Sequence, residues 1–158
     1  MTRSGADLAL LLLAGFRTFA ERGSAALAER GFEDVRPVHD FALRAITAGA
    51  DTPSELARRL SVSRQSAAKT VAVLEARQYV ERSPDPRDGR RLRLEVTARG
   101  REMLRVGEEI FDDLRAQWEE LSGVAQVEGL EEALRALVGP RVLSVRSPDW
   151  ATDELETS

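Results

Sequence analysis

Apolar residues along the chain follow two spacings, and the switch between them divides it. Across residues 8–29 they recur every three or four positions (Leu8, Leu12, Phe16, Phe19), the period of a helix with one covered face, and Gly31 supplies a stop. A second helix opens at Pro37 and runs to about Ala48, turning Phe41, Ala42, Ala45 and Ile46 inward before Gly49 ends it. Thr52-Pro53-Ser54-Glu55 then starts a short third helix. Thr52 is a good N-cap, proline suits a first position that needs no N–H, and Glu55 completes a capping box. Leu56, Ala57 and Leu60 are its inward residues. Ser61-Val62-Ser63 makes a tight turn, and Ser63 caps a fourth helix to about Arg77, whose inner face carries Ala67, Val71 and Leu74.

Here the period drops to two. Tyr79-Val80-Glu81-Arg82 alternates, 83–90 is a turn containing Pro and Gly, and Leu92-Arg93-Leu94-Glu95-Val96 alternates again, which predicts a β-hairpin. Thr97 begins a long helix to about Leu121, with Met103, Val106, Ile110, Leu114 and Trp118 along one stripe. A last helix covers about 125–138, stopped by Gly139-Pro140, and residues 1–6 and 147–158 read as frayed ends. The expected fold class is mainly α with one small β-hairpin.

Composition narrows the chemistry. The chain has no cysteine, which removes disulfides, thiolate metal sites and thiol redox sensing, and fits a reducing cytoplasm. Residues 8–14 form an apolar run too short to span a bilayer, and they continue into Gly15-Phe16-Arg17 without a cleavage pattern, so the reading is a helix rather than a signal or a membrane segment. A single histidine, no glycine-rich phosphate loop and no cluster of metal-ligating side chains leave no catalytic constellation, no metal site and no expected cofactor. The formal net charge of −4 hides a segregation: residues 1–52 carry −1, 53–101 carry +6 and 102–158 carry −9. Phosphate attraction is thereby concentrated on the middle segment.

Helix, tight turn, helix and charged hairpin, in that order, is the winged helix-turn-helix arrangement. Its second helix enters a major groove, the first braces it across the backbone, and the hairpin reaches an adjacent groove. Ser63, Arg64, Gln65, Ser66 and Lys69 face away from the inner stripe and offer hydroxyls, an amide and cations to phosphates and base edges. A solvated amphipathic helix would show the same polar face, but the hairpin tip adds Arg87, Asp88, Arg90 and Arg91, a cluster that repels itself unless an anion is near. Asp88 is expected to grip the Arg90 guanidinium in a bidentate pair and hold it out as a probe for a narrow minor groove. The alternative is a winged helix that binds protein instead of DNA; Lys69, Arg90 and Arg91 suit an apolar partner poorly. The first helix and the last two offer more apolar stripe than a small wing domain can cover, which points to a homodimer and hence to a roughly palindromic duplex site.

Leu56-Ala57-Arg58-Arg59-Leu60-Ser61-Val62-Ser63 through Leu74-Glu75, Tyr79-Val80-Glu81-Arg82, the loop 85–91 with its Asp88-Gly89-Arg90, and Val96-Thr97-Ala98-Arg99-Gly100 together resemble the MarR family of transcription regulators. The likeness spans about residues 35–120. It implies a homodimer whose terminal helices interlock, recognition of an inverted repeat in double-stranded DNA, repression more often than activation, and release by a small aromatic or phenolic effector. It implies, too, a ligand pocket between the first, second and fifth helices, for which Phe16, His39, Phe41, Phe111 and Trp118 are the candidates. His39, with an ordinary pKa close to neutrality, would then be placed to sense pH. The family usually has glycine where Ser61 and Gln78 stand, so both positions call for positive φ. The resulting division is a dimerisation helix over 1–36, a DNA-binding domain over 37–98, dimerisation helices over 99–146 and a flexible tail over 147–158.

Overall fold

Six helices and one hairpin appear, in the order α1 (Gly5–Glu29), α2 (Pro37–Thr47), α3 (Pro53–Leu60), α4 (Arg64–Ala76), β1 (Val80–Pro84), β2 (Leu92–Val96), α5 (Ala98–Ser122) and α6 (Val124–Val138), in a computed structural model that describes residues 4–139. The tail over 147–158 and the end of the 99–146 segment lie outside the described residues.

Short side-chain caps fix where the helices begin. Ser4 Oγ accepts the Asp7 N–H at 3.1 Å while the Asp7 carboxylate accepts the Ser4 N–H at 3.2 Å. Gly5 and Ala6 are therefore helical rather than frayed, because this reciprocal box satisfies donors that a bare helix end leaves open. At α3 only half of the expected box forms: Thr52 Oγ1 accepts from the Glu55 N–H at 3.2 Å, but the Glu55 carboxylate pairs with Arg58 at 2.8 Å. Ser61 ends α3 at φ 58° and Gln78 follows α4 at φ 61°. Both positions thus have the left-handed backbone that favours glycine.

The core lies where α2, α3 and α4 meet the root of the hairpin and the first half of α5. Leu43, Leu56, Leu60, Val71, Leu74, Tyr79 and Met103 are its largest fully buried side chains. Each such burial contributes about 1.5–3 kcal/mol, which makes this cluster the main source of stability for the middle of the chain.

The hairpin is antiparallel, in register from Val80 opposite Val96 to Pro84 opposite Leu92. Its first strand starts one residue later than the alternation suggested, because the Tyr79 N–H is used to close α4, bonding the Leu74 carbonyl at 2.9 Å. The strand also runs two residues further, to Pro84, an edge position where no ladder donor is required. Leu94 N–H bonds the Asp51 carbonyl at 2.7 Å, which seats the second strand on the segment between α2 and α3, and Thr97 N–H bonds the Tyr79 carbonyl at 3.0 Å, which closes the base of the hairpin. Gly100 lets the first turn of α5 lie flat on that root; a Cβ there would stand 2.3 Å from the Tyr79 carbonyl oxygen.

Outside this body the apolar surface is poorly covered. Met103, Val106 and Ile110 of α5 are buried, but Trp118 is 37% exposed and leans on Phe19 of α1 instead of entering the core, so the inward stripe stops earlier than its spacing suggested. Leu8, Leu10 and Leu11 are 59–69% exposed, Leu121 is 83% exposed and Leu137 is 71% exposed. No described helix is long and apolar enough to cross a membrane.

Candidate nucleic-acid interface

Burial of Ala67, Val71 and Leu74 fixes the rotation of α4 and leaves Arg64, Gln65, Ala68, Lys69 and Ala72 on its exposed side. Three of the five polar residues expected to face outward do so freely: Arg64, Gln65 and Lys69. The other two are engaged with each other. Ser63 Oγ accepts the Ser66 N–H at 3.0 Å and lies 3.0 Å from Ser66 Oγ, so these hydroxyls build the helix start. Ala68 and Ala72, which a search for polar groups passes over, fill the gaps between the polar side chains. Their small size keeps the helix backbone accessible, and an alanine methyl is a suitable contact for a thymine methyl.

The hairpin tip is shaped by its backbone and two aspartates. Asp85 N–H bonds the Arg91 carbonyl at 2.8 Å, and Arg91 N–H bonds the Asp88 carbonyl at 2.9 Å. Asp85 Oδ1 accepts the Arg87 N–H at 2.8 Å and Asp88 Oδ1 accepts the Arg90 N–H at 3.1 Å. Asp88 therefore does not hold the Arg90 guanidinium. Its short side chain reaches the amide two residues on, the usual Asx-turn geometry, and this preference for local backbone displaces the expected bidentate pair.

That arrangement leaves Arg87, Arg90 and Arg91 exposed with no carboxylate partner among the described residues, and the same holds for Arg64 and Lys69 on α4. Elsewhere the arginines are largely neutralised. Arg44 bonds Asp40 at 2.7 Å and Glu108 at 3.1 Å, Arg115 bonds Glu119 at 2.6 Å and Glu131 at 2.7 Å, and Arg105 is gripped by Glu102 and Glu109. Arg82 at the wing's first strand bonds Glu75 of α4 at 2.8 Å, which raises the arginine above its ordinary pKa and ties wing to helix. Five exposed cations without a carboxylate among the described residues thus lie on the outer face of α4 and the wing tip; Arg22 on α1 also lacks one, and Arg59, Arg99 and Arg101 hold backbone carbonyls.

The candidate pocket residues separate. A largely apolar cavity of about 230 Å³ lies between α1, α2 and α5, and Phe16, Phe41 and Phe111 line it together with Phe19. Phe19, three residues beyond Phe16 at helical spacing, is a lining residue that the candidates omit; its ring stacks on Phe111 at 6.4 Å between centroids. Trp118 touches Phe19 at 5.5 Å and lies outside the cavity. It is seven residues after Phe111, on nearly the same face but about 10 Å further along the helix.

His39 lies outside that cavity as well. Two residues from Phe41, it points about 200° around α2, where it is 6% exposed and its Nδ1 accepts the Arg36 N–H at 3.1 Å. Burial, reinforced by Arg77 and Arg36, lowers its pKa to about 4. The imidazole is neutral at physiological pH, which corrects the expectation of a sensor near neutrality. Among the described residues no group of His and acidic side chains could hold a metal ion.

Residues 37–91 match the sequence model of the MarR family. Over that span the chain matches the winged helix-turn-helix of the MarR family. The matched segment contains α2, α3, α4, β1 and the cationic wing tip, so both elements of the interface fall within it, as do Ser61 and Gln78. Solved structures extend the likeness of fold to the terminal helices. The reduced form of MarR from E. coli superposes with a TM-score of 0.69 at 22% identity, covering 84% of this chain and 96% of that one. The MarR-family transcriptional regulator from Rhodococcus sp. gives 0.64 at 20% identity over 89% and 98% of the two chains. The YusO protein from Bacillus subtilis gives 0.63 at 18% over 86% and 98%. No curated protein sequence matches the chain.

Proposed function

We propose that this MarR-family chain is a transcription regulator, more often the family's role of repressor than activator, that binds a palindromic operator as a homodimer and is released from it by a small aromatic ligand. The observation that supports it best is the concentration of exposed cations: Arg64, Lys69, Arg87, Arg90 and Arg91 lie on the outer face of α4 and the wing tip with no carboxylate partner among the described residues, while Arg44, Arg105 and Arg115 each hold two carboxylates. Desolvated or crowded cations without counter-charges are stabilised by a polyanion, and a helix flanked by a hairpin matches the groove-and-backbone spacing of a duplex. The exposed leucines of α1, α5 and α6 support the dimer, because no element among the described residues covers them. Twofold pairing places two interfaces side by side, hence the inverted repeat. The aromatic cavity supports the ligand, being concave, apolar and walled by three helices. A DNA-binding regulator of this kind would work in the cytoplasm.

The test is a gel shift or anisotropy titration against the protein's own upstream region at several salt concentrations, with and without phenolic compounds, alongside a mass measurement in solution. A dimer contacting about 6–10 phosphates loses roughly 10³–10⁵ in affinity between 50 and 200 mM salt. Salt-insensitive association, or a monomer at micromolar concentration, overturns the reading.

A further inference from the structure

Residues 33–37 run between the aromatic cavity and the recognition helix, and they belong to the walls of both. Val35, Arg36 and Pro37 line the cavity. Asp34 and Arg36 line a separate groove whose other wall is α4 and its C-cap, with Ser66, Lys69 and Arg77. This crossing is fastened on each side. The Ser24 hydroxyl of α1 donates to the Val35 carbonyl at 2.7 Å. Arg77 donates to the Asp34 carbonyl at 2.6 Å and the Glu33 carbonyl at 3.3 Å, and its guanidinium lies 3.6 Å from the Asp34 carboxylate. Asp34 itself holds φ 52°, a left-handed turn conformation that aspartate tolerates better than most side-chain-bearing residues.

We propose that residues 33–37 are the strap through which filling of the cavity moves α4, with Arg77 as the coupling residue; this rests on the cavity being the ligand site. The other walls have little room to give. α1 and α5 are long helices in contact, and a Cβ on Gly23 would already sit 2.6 Å from the Phe111 ring. The non-helical crossing is the soft wall, so an added group displaces it first, and close-packed interiors pass such displacements on instead of absorbing them. Displacement toward α4 either breaks the Arg77 bonds or tilts the helix from its C-terminal end. Arg64 and Gln65 sit at the opposite end and Lys69 midway, so a tilt about the C-terminal end moves all three.

No ligand is needed to test this, because Ala20 lines the cavity and a larger side chain there fills it from within. Ala20→Phe, with Ala20→Leu as the milder variant, is expected to weaken duplex binding about tenfold, an ordinary size for coupling between sites. The same change made on top of Arg77→Met is expected to leave affinity at the Arg77→Met value. An equal loss in both backgrounds, or no loss in either, overturns the strap. Amide hydrogen exchange gives a readout independent of DNA: filling the cavity accelerates exchange across 33–37 and 64–79 when Arg77 is present, and across 33–37 alone when it is Met. If α4 exchange ignores the filled cavity in a variant that melts like the native chain, the strap fails even where the protein binds DNA. A native chain that binds no duplex removes the DNA-binding reading instead and leaves the exchange experiment to decide this one.

Discussion

Asp88 accepts the backbone N–H of Arg90 at 3.1 Å and leaves the guanidinium of that arginine without a carboxylate. The aspartate therefore shapes the turn, and the arginine is available to an external anion. Two consequences differ in kind. Arg90→Ala should leave the melting temperature unchanged, weaken duplex binding across sequences and reduce the slope of log affinity against log salt by about one. Asp88→Ala should keep that charge yet weaken binding through a loosened tip, with the salt slope preserved. An Arg90→Ala protein with native affinity at moderate salt removes the wing from the interface.

Gly100 leaves no room for a side chain between α5 and the root of the hairpin. Gly100→Ala brings a methyl within 2.3 Å of the Tyr79 carbonyl oxygen and 2.7 Å of a Val96 methyl. Backbone cannot rotate away as a flexible side chain can, so the expected loss is about 1–3 kcal/mol, read as a lower denaturation midpoint. An unchanged midpoint would mean that the root of the wing is looser than described.

Gln78 follows the recognition helix at φ 61° and is exposed. Relief of the left-handed strain by Gln78→Gly should outweigh the added freedom of the unfolded chain and stabilise by roughly 0.5–1 kcal/mol. Gln78→Val, which tolerates that backbone poorly, should destabilise. Equal midpoints for both variants would deny that strain sits at this turn.

His39 is buried and neutral, with a folded pKa of about 4 against an ordinary 6.5. Between those values the unfolded chain binds the extra proton and the folded one does not, so stability is complete above pH 6.5 and declines as pH falls toward 4. The full swing is on the order of 3 kcal/mol. His39→Gln should flatten the stability profile in that window, while DNA binding at neutral pH stays the same. A profile as steep as that of the native chain would assign the acid sensitivity to other groups.

Much of this was written in the local sequence. Caps and breakers such as Thr52-Pro53, Ser63 and Gly49 give the helix ends, because those side chains satisfy or terminate backbone bonds within a turn or so. The inner face of α4 follows from spacing alone, and so do the free residues Arg64, Gln65 and Lys69. The aromatic cavity was harder to read. His39 and Phe41 look equivalent as neighbours in sequence, but a helix turns them to opposite sides, and only the packing of α1 and α5 decides which side holds the cavity. Trp118 was misplaced by translation along α5 instead of rotation. The Arg90 pair failed for a different reason: composition says which charges are near one another, while the turn decides that the aspartate reaches an amide first.

The bond from Leu94 N–H to the Asp51 carbonyl ties the second hairpin strand to the segment joining α2 and α3. With Arg82 of the first strand bonded to Glu75 of α4 as well, tongue and reading helix are held as one two-pronged tool, in which neither prong swings alone. If the chain pairs on an inverted repeat as proposed, tolerance for an inserted or deleted base pair between half-sites would have to come from the hinge between protomers, and a stiff pairing region would discriminate sharply by spacer length.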